Sequence, residues 1–227
     1  MMVPMGGPLA EGHGVHREPR GPLSAADWTF GGGTALMLLY GYRRSRDTPS
    51  FCAIAVPDGP VPALERSHRG PHRAYVEQSD FLKLIFDGGE VDFIAAPSLT
   101  TEPYAIKTVL GTETKVETPV EIVATKVFYR PEEFSLRDVF DFAFVFVLDQ
   151  DPRAICDNLE ILTAKSDVLS LRLERLQTLG PFAAQARAAL DPLPRGVPYL
   201  ESAMEKIMEF LERRRMPRPA LRSVNLL

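Results

Sequence analysis

The spacing of apolar residues changes character along the chain. From residue 1 to about Asp27 neither a two-residue nor a three-to-four-residue period can be traced, because Gly, Pro, Arg and His dominate. Such a segment buries too little surface to offset the entropy of ordering it, so residues 1–27 are expected as an irregular arm. From Trp28 the pattern predicts a short strand, a turn at Gly31-Gly32-Gly33 and a helix beginning near Thr34, with Ala35, Leu36, Leu38 and Leu39 apolar. Residues 47–56, 76–86 and 91–95 read as extended, and Asp87-Gly88-Gly89 between the last two is a hairpin signal. A further extended pair, 105–110 and 115–117, is expected across Gly111-Thr112. Residues 57–73 repeat the Pro/Gly/His-rich texture of the arm and read as a long loop with at most a short helix at 63–67.

After Thr118 the period becomes helical. Thr118-Pro119-Val120-Glu121 combines a capping box with proline at the first helical position, and Val120, Val123, Ala124 and Val127 then recur on one face as far as about Tyr129. Ser135-Leu136-Arg137-Asp138 opens a second helix in the same way. It leads into 139–148, apolar on nearly every side and therefore expected at the centre of a bundle. Further helices are predicted over 152–164, 167–179, 181–190 and 199–215. The expected fold class is α+β: a small mixed sheet core over 28–118, then a C-terminal bundle of five or six helices over 119–227.

Composition narrows the function classes without choosing one. The 227 residues carry 26 Lys+Arg against 30 Asp+Glu, a net charge of −4, so bulk charge does not mark a nucleic-acid binder. With 45% hydrophobic and 25% charged residues the balance is that of a globular protein, which excludes wholesale disorder, collagen and coiled coil. The longest nearly apolar run, 140–148, is broken by Asp141 and is far shorter than the roughly 18 residues a membrane span needs. No secretory leader pattern opens the sequence, so a soluble, cytoplasmic protein is expected. Cys52 and Cys156 are far apart and flanked by apolar residues, which predicts two buried free thiols rather than a disulfide or a zinc site. His13, His16, His68 and His72 lie in the two irregular stretches with no acid or thiol at ligand spacing, and are set aside as metal ligands.

Candidate chemistry begins at Gly32-Gly33-Thr34. A glycine turn lets backbone N–H groups approach a phosphate, and the start of the following helix favours its negative charge. Asp47 and Asp92, on expected neighbouring strands, could hold Mg²⁺ beside that phosphate, since Mg²⁺ prefers hard oxygen ligands. The competing reading is a glycine needed only for close strand–helix packing. Lys126 and Arg130, four apart, share a helical face and could bind phosphate or simply line an exposed polar face. Asp138 and Asp141 share a side of the next helix; the ordinary reading has Asp138 as a cap and Asp141 paired with Arg137. Arg213, Arg214, Arg215, Arg218 and Arg222 could attract an RNA backbone, or form a solvated helix end.

In this order, Gly32-Gly33-Thr34-Ala35-Leu36, Gly41-Tyr42-Arg43-Arg44-Ser45-Arg46-Asp47, Val91-Asp92-Phe93, and 121–130 with Arg137-Asp138-Val139-Phe140-Asp141 resemble a known family. It is that of the AbiEii/AbiGii-type nucleotidyltransferase toxins of bacterial toxin–antitoxin systems, within the DNA polymerase β-like superfamily. The resemblance covers about residues 28–148. It implies a nucleotidyltransferase core and a helical domain with a nucleoside triphosphate between them, Mg²⁺, an RNA acceptor such as a tRNA end, and a cognate antitoxin partner. It assigns Gly32, Gly33 and Thr34 to the triphosphate, with Arg43 and Ser45 standing in the family's Gly-His-Arg-x-Ser-x-Asp run. Asp47 and Asp92 match the first and third metal carboxylates, Lys126 the lysine near the phosphates, and Asp138 and Asp141 the acidic pair of the helical motif.

Two departures matter. Tyr42 replaces the family's histidine, and Pro49 stands where the resemblance places the second metal carboxylate. Loss of a bridging carboxylate weakens a two-metal site. The expectation is therefore a Mg²⁺-dependent nucleotidyltransferase acting on RNA, with a degenerate, binding-only relative as the alternative.

Overall fold

The computed structural model describes residues 28–44, 50–55, 72–78, 81–148 and 152–215. Its first half is one mixed sheet of seven strands in the order β3-β4-β5-β2-β1-β7-β6. These are β1 (Thr29–Gly31), β2 (Ser50–Ala55), β3 (Ala74–Glu77), β4 (Phe81–Phe86), β5 (Gly89–Ile94), β6 (Tyr104–Val109) and β7 (Thr112–Glu117), with helix α1 (Gly32–Tyr40) following β1 directly. The sheet is larger than the sequence pattern suggested. The run read as 76–86 is two antiparallel strands, with Tyr75 opposite Leu84 and Val76 opposite Lys83. The pairs β2–β5 and β1–β7 are parallel and the remaining pairs antiparallel.

Both predicted hairpins form. Phe86 pairs with Gly89 across Asp87-Gly88, and Val109 with Thr112 across Leu110-Gly111. The second turn has positive φ at both central residues, 50° at Leu110 and 83° at Gly111, which is the combination whose twist matches two antiparallel strands. Because β1 lies between β2 and β7, the start of α1 stands over the middle of the sheet rather than at an edge.

Seven helices follow among the described residues: α2 (Pro119–Tyr129), α3 (Leu136–Leu148), α4 (Pro152–Asp157), α5 (Leu159–Thr163), α6 (Ser166–Thr178), α7 (Phe182–Leu190) and α8 (Ala203–Arg215). The fold is α+β, as the patterning predicted. The Thr118 hydroxyl accepts from Glu121 N at 3.3 Å and donates to the Glu102 carbonyl at 2.9 Å, capping α2 as its sequence implied. The single helix expected over 152–164 is broken at Asn158. Its Oδ1 accepts from Thr101 N and its Nδ2 donates to the Ala154 carbonyl, so a side chain satisfies backbone groups and turns the chain. Cys156 overturns an expectation: it is a free thiol but exposed, because the α4 face that carries it points outward. Cys52 falls on β2.

From Val139 to Val145 every residue of α3 is buried, Asp141 included. Around it pack Ala35 and Leu36 of α1, Val116 of β7, and Leu169, Ala186 and Ile207 of α6, α7 and α8, so sheet and helices share one core. Tyr42 stacks on Phe144 with centroids 4.1 Å apart, and Phe142 meets Phe210 edge-on at 5.7 Å. Each fully buried ring of this kind is worth roughly 1.5–3 kcal/mol. The segment after α1 is strapped to the α7–α8 connection: Leu193 N donates to the Tyr42 carbonyl and Arg44 N to the Asp191 carbonyl. Gly196 is required there, since a Cβ would lie 2.2 Å from the Tyr42 carbonyl oxygen.

Candidate functional site

The glycine turn is tight on both sides. Helix α1 starts at Gly32, earlier than the Thr34 expected, and Gly32 has φ 71°, a conformation that favours glycine. A Cβ on Gly31 would fall 1.7 Å from Glu117 Oε2. On Gly33 it would fall 2.8 Å from Arg43 Nη2 and 3.5 Å from Asp141 Oδ2. The glycines thus allow close approach, and what approaches them within the chain is charged: Glu117 at Gly31, and Arg43 with Asp141 at Gly33.

On the Gly33 side lies a buried ionic network. Arg43 grips Asp141 with both forks of its guanidinium, Nε to Oδ1 at 2.8 Å and Nη2 to Oδ2 at 3.1 Å. Tyr42 donates its hydroxyl to the same Oδ1, and Lys126 reaches Oδ2 at 2.7 Å. Lys126 also lies 2.9 Å from Asp138 Oδ1, which Arg130 meets at 2.8 Å. Ser135 completes the Asp138 shell through its N and hydroxyl. Asp141 is wholly buried and Lys126 and Arg43 nearly so, while the Arg130 side chain is 39% exposed.

Burial alone would push both aspartates up. For Asp138 the neighbouring Lys126 and Arg130 outweigh it, and for Asp141 Lys126 and Arg43 do, so both carboxyls are held below the usual range. The Arg43 guanidinium is raised despite its burial, by Asp141. Tyr42 is pushed well up, first by burial and then by the Asp141 charge.

On the Gly31 side sits Glu117, the last residue of β7 and a residue the motifs did not single out. Its Oε1 accepts from the Thr29 hydroxyl and its Oε2 from Gly32 N, both at 3.3 Å. These bonds are long and few for a buried carboxylate, and burial with the nearby Glu121 charge pushes Glu117 up to about 7. Glu121, one turn into α2, is fully engaged elsewhere, accepting from Leu99 N, Thr100 N and the Thr100 hydroxyl.

Of the two acids assigned to metal, only Asp92 lies among the described residues. Asp92 is on β5, opposite Lys83 of β4 and beside Ala53 of β2 in the ladder. Its Oδ1 lies 3.4 Å from Lys83 Nζ but makes no hydrogen bond; Lys83 bonds Glu90 instead, at 2.7 Å. That spacing is an electrostatic contact rather than a bond, and burial raises the Asp92 carboxyl. Ser45, Asp47 and Pro49 lie outside the described residues, as do Arg218, Arg222, His13, His16 and His68. Among the described residues no three His, Cys, Asp or Glu side chains gather as a metal site. One orphaned oxygen beside a lysine is not a Mg²⁺ site, so the described residues alone do not fit the metal.

The structure therefore brings together Gly32, Gly33, Arg43, Lys126, Arg130, Asp138 and Asp141 within one cluster, with Thr34 in the first turn of α1 above it. Asp138 caps α3, as the ordinary reading had it, but also serves Lys126 and Arg130. The partners of Asp141 described above lie on other elements, rather than on its own helix as the ordinary reading expected. Glu117 carried one legible signal, an acid at the end of a strand immediately before a helix cap; its contact with Thr29, 88 positions away, did not.

No family model matches the chain, and no curated protein does. Among solved structures, one from H. pylori whose description as a nucleotidyltransferase is itself provisional is similar, with a TM-score of 0.38 and 12% identity over 84% of this chain and 90% of that one. A likeness of that strength carries no argument. No described helix is long and apolar enough to cross a membrane.

Proposed function

We propose that the chain is a nucleotidyltransferase-type protein that takes a nucleoside triphosphate at the glycine turn and passes its nucleotidyl group to an acceptor, RNA such as a tRNA end. The observation that carries this reading is the convergence of the α1 N-terminus with Arg43 and Lys126 at Gly33. Backbone N–H groups, a helix dipole and two cations meeting at a residue without a side chain are what a polyphosphate needs. In the reaction the acceptor hydroxyl loses its proton to solvent as its oxygen bonds to the α-phosphorus, the bond to the β-phosphate oxygen breaks and pyrophosphate leaves, and Lys126 and Arg43 stabilise the charge that develops. Asp141 holds both cations in place, and Asp138 fixes Lys126 and Arg130. Mg²⁺ would accompany the triphosphate and offset its charge; of the two carboxylates the resemblance offers, Asp92 has no companion acids gathered as a metal site among the described residues and Asp47 lies outside them. The AbiEii/AbiGii-like toxin role, with an antitoxin as partner, is part of the same proposal.

Incubation of the full chain with labelled triphosphates, Mg²⁺ and total RNA tests it. Label should enter RNA with one nucleotide and be lost in Lys126→Met; no transfer with any of the four nucleotides would sink the enzymatic reading.

A second reading, a degenerate relative that binds without catalysis, is favoured by a specific observation. Every cation of the cluster is already matched by a carboxylate of the chain, and Gly32 N is taken by Glu117. Together with Pro49, this describes a cradle that an incoming phosphate must compete to enter. Nucleotide binding without label transfer would select it.

A further inference from the structure

Among the described residues at the glycine turn, Glu117 is the buried acid that the proposed reaction leaves unused. We propose that Glu117 is a positioning residue that governs phosphate entry: as a carboxylate it occupies the Gly32 N–H at the positive end of α1, and as a neutral acid it yields that end to a phosphate. The proposal deepens, and rests on, the reading of the turn as a phosphate cradle.

The geometry gives the competition its form. Glu117 Oε2 accepts from the first N–H of α1, where the helix dipole favours negative charge, and the missing Cβ of Gly31 is what lets it come so near. A phosphate arriving at the same N-terminus would meet a like charge in a poorly solvated place, where repulsion is least screened. Its neighbours leave Glu117 poised to change state. From α2, Glu121 disfavours its charge and Lys126 favours it, but Lys126 is already bound to Asp138 and Asp141. Tyr104 stands opposite it in the β6 ladder, and β1 and α1 contribute the Thr29 hydroxyl and Gly32 N as donors, each at 3.3 Å. With so little to hold the anion, burial dominates and the group titrates near neutrality, at about 7.

The sign follows by linkage. When a phosphate that prefers neutral Glu117 binds, the Glu117 carboxylate takes up a proton, so affinity falls as pH rises through that value. Between pH 6 and pH 8 the protonated fraction drops from about nine-tenths to about one-tenth, which sets an expected loss of about tenfold.

Isothermal titration of the full chain with ATP at pH 6 and pH 8, beside Glu117→Gln, is the test. The terminal phosphate of ATP titrates in the same range, so the measured quantity is the ratio of wild-type to variant affinity, which should fall about tenfold between the two pH values. Repeating the wild-type titration near pH 7.5 in buffers of different ionisation heat should reveal proton uptake that the variant lacks. Thr29→Val removes a donor to the anion, and should move the wild-type midpoint to higher pH. It carries the test if Glu117→Gln fails to fold, and an unmoved midpoint would then overturn the proposal. Parallel pH profiles for wild type and Glu117→Gln, both binding ATP, would overturn the proposal and leave the phosphate reading standing. Absence of ATP binding by either protein at both pH values would overturn the phosphate reading and this proposal with it.

Discussion

The two sides of the glycine turn hold the same chemical group in opposite conditions. At Gly33, Asp141 is wholly buried yet keeps its charge, because Arg43, Lys126 and Tyr42 all point hydrogen atoms at it. At Gly31, Glu117 is nearly as well hidden but has two long hydrogen bonds and a neighbouring acid, and its carboxyl rises. Burial is thus not the deciding variable; the number and charge of donors is. One side is a closed network fixed over the whole working pH range, and the other is set to change.

The sharpest way to break that comparison is to make one substitution, carboxylate to amide, on each side. Asp141→Asn takes the carboxylate from buried Arg43 and leaves Lys126 with Asp138 alone, and should cost about 3–5 kcal/mol in urea unfolding at pH 8. Glu117→Gln should be neutral or stabilising at the same pH. A loss of similar size in both would mean the two sides do not differ as described.

Next in size is the pH dependence of wild-type stability. A carboxyl raised on folding contributes less as pH rises past its unfolded value, so Glu117 should make the wild type lose roughly 2–3 kcal/mol between pH 5 and pH 8, and Glu117→Gln should lack that slope. Asp138 and Asp141 are depressed, so their contribution is complete above about pH 4 and is lost only below it; they add no slope in that window. Unfolding midpoints across pH 5 to 8 for both proteins check this.

Smaller effects follow from the glycines and the cap. Gly31→Ala places a methyl on the Glu117 carboxylate and should cost about 1–3 kcal/mol, more than Gly33→Ala, whose nearest neighbour is the tip of a long side chain. Thr118→Ala removes the α2 cap just after Glu117 and should cost about 1 kcal/mol, with the pH slope intact. Thermal melts rank the three.

Much of this arrangement is written in local sequence. The turn at Asp87-Gly88, the Thr118-Pro119 helix start and the apolar run of α3 each depend on neighbours in the chain, and each forms where the pattern placed it. The resemblance gathered Gly33, Arg43, Lys126, Asp138 and Asp141, and the structure clusters them. What sequence could not supply was direction. Nothing local says that Arg43 turns inward to a residue 98 positions later, or that Asn158 bends a helix by reaching back to Thr101. The β1–β7 parallel pairing that sets Glu117 beneath Gly31 is a long-range contact of the same kind. Cys156 failed for a related reason: apolar flanks state what a residue is near along the chain, not which way its helix faces.

The docking of the α7–α8 connection on Tyr42 and Arg44 has a consequence for synthesis. A chain growing from its N-terminus makes the glycine bend early, but the groups that orient Arg43 emerge only with α3 and then with residues 191–196. A ribosome stalled before α3 would release a fragment in which the Arg43 guanidinium has no Asp141 to grip. The centre is complete only once translation has passed the residues of the α7–α8 connection that hold Tyr42 and Arg44.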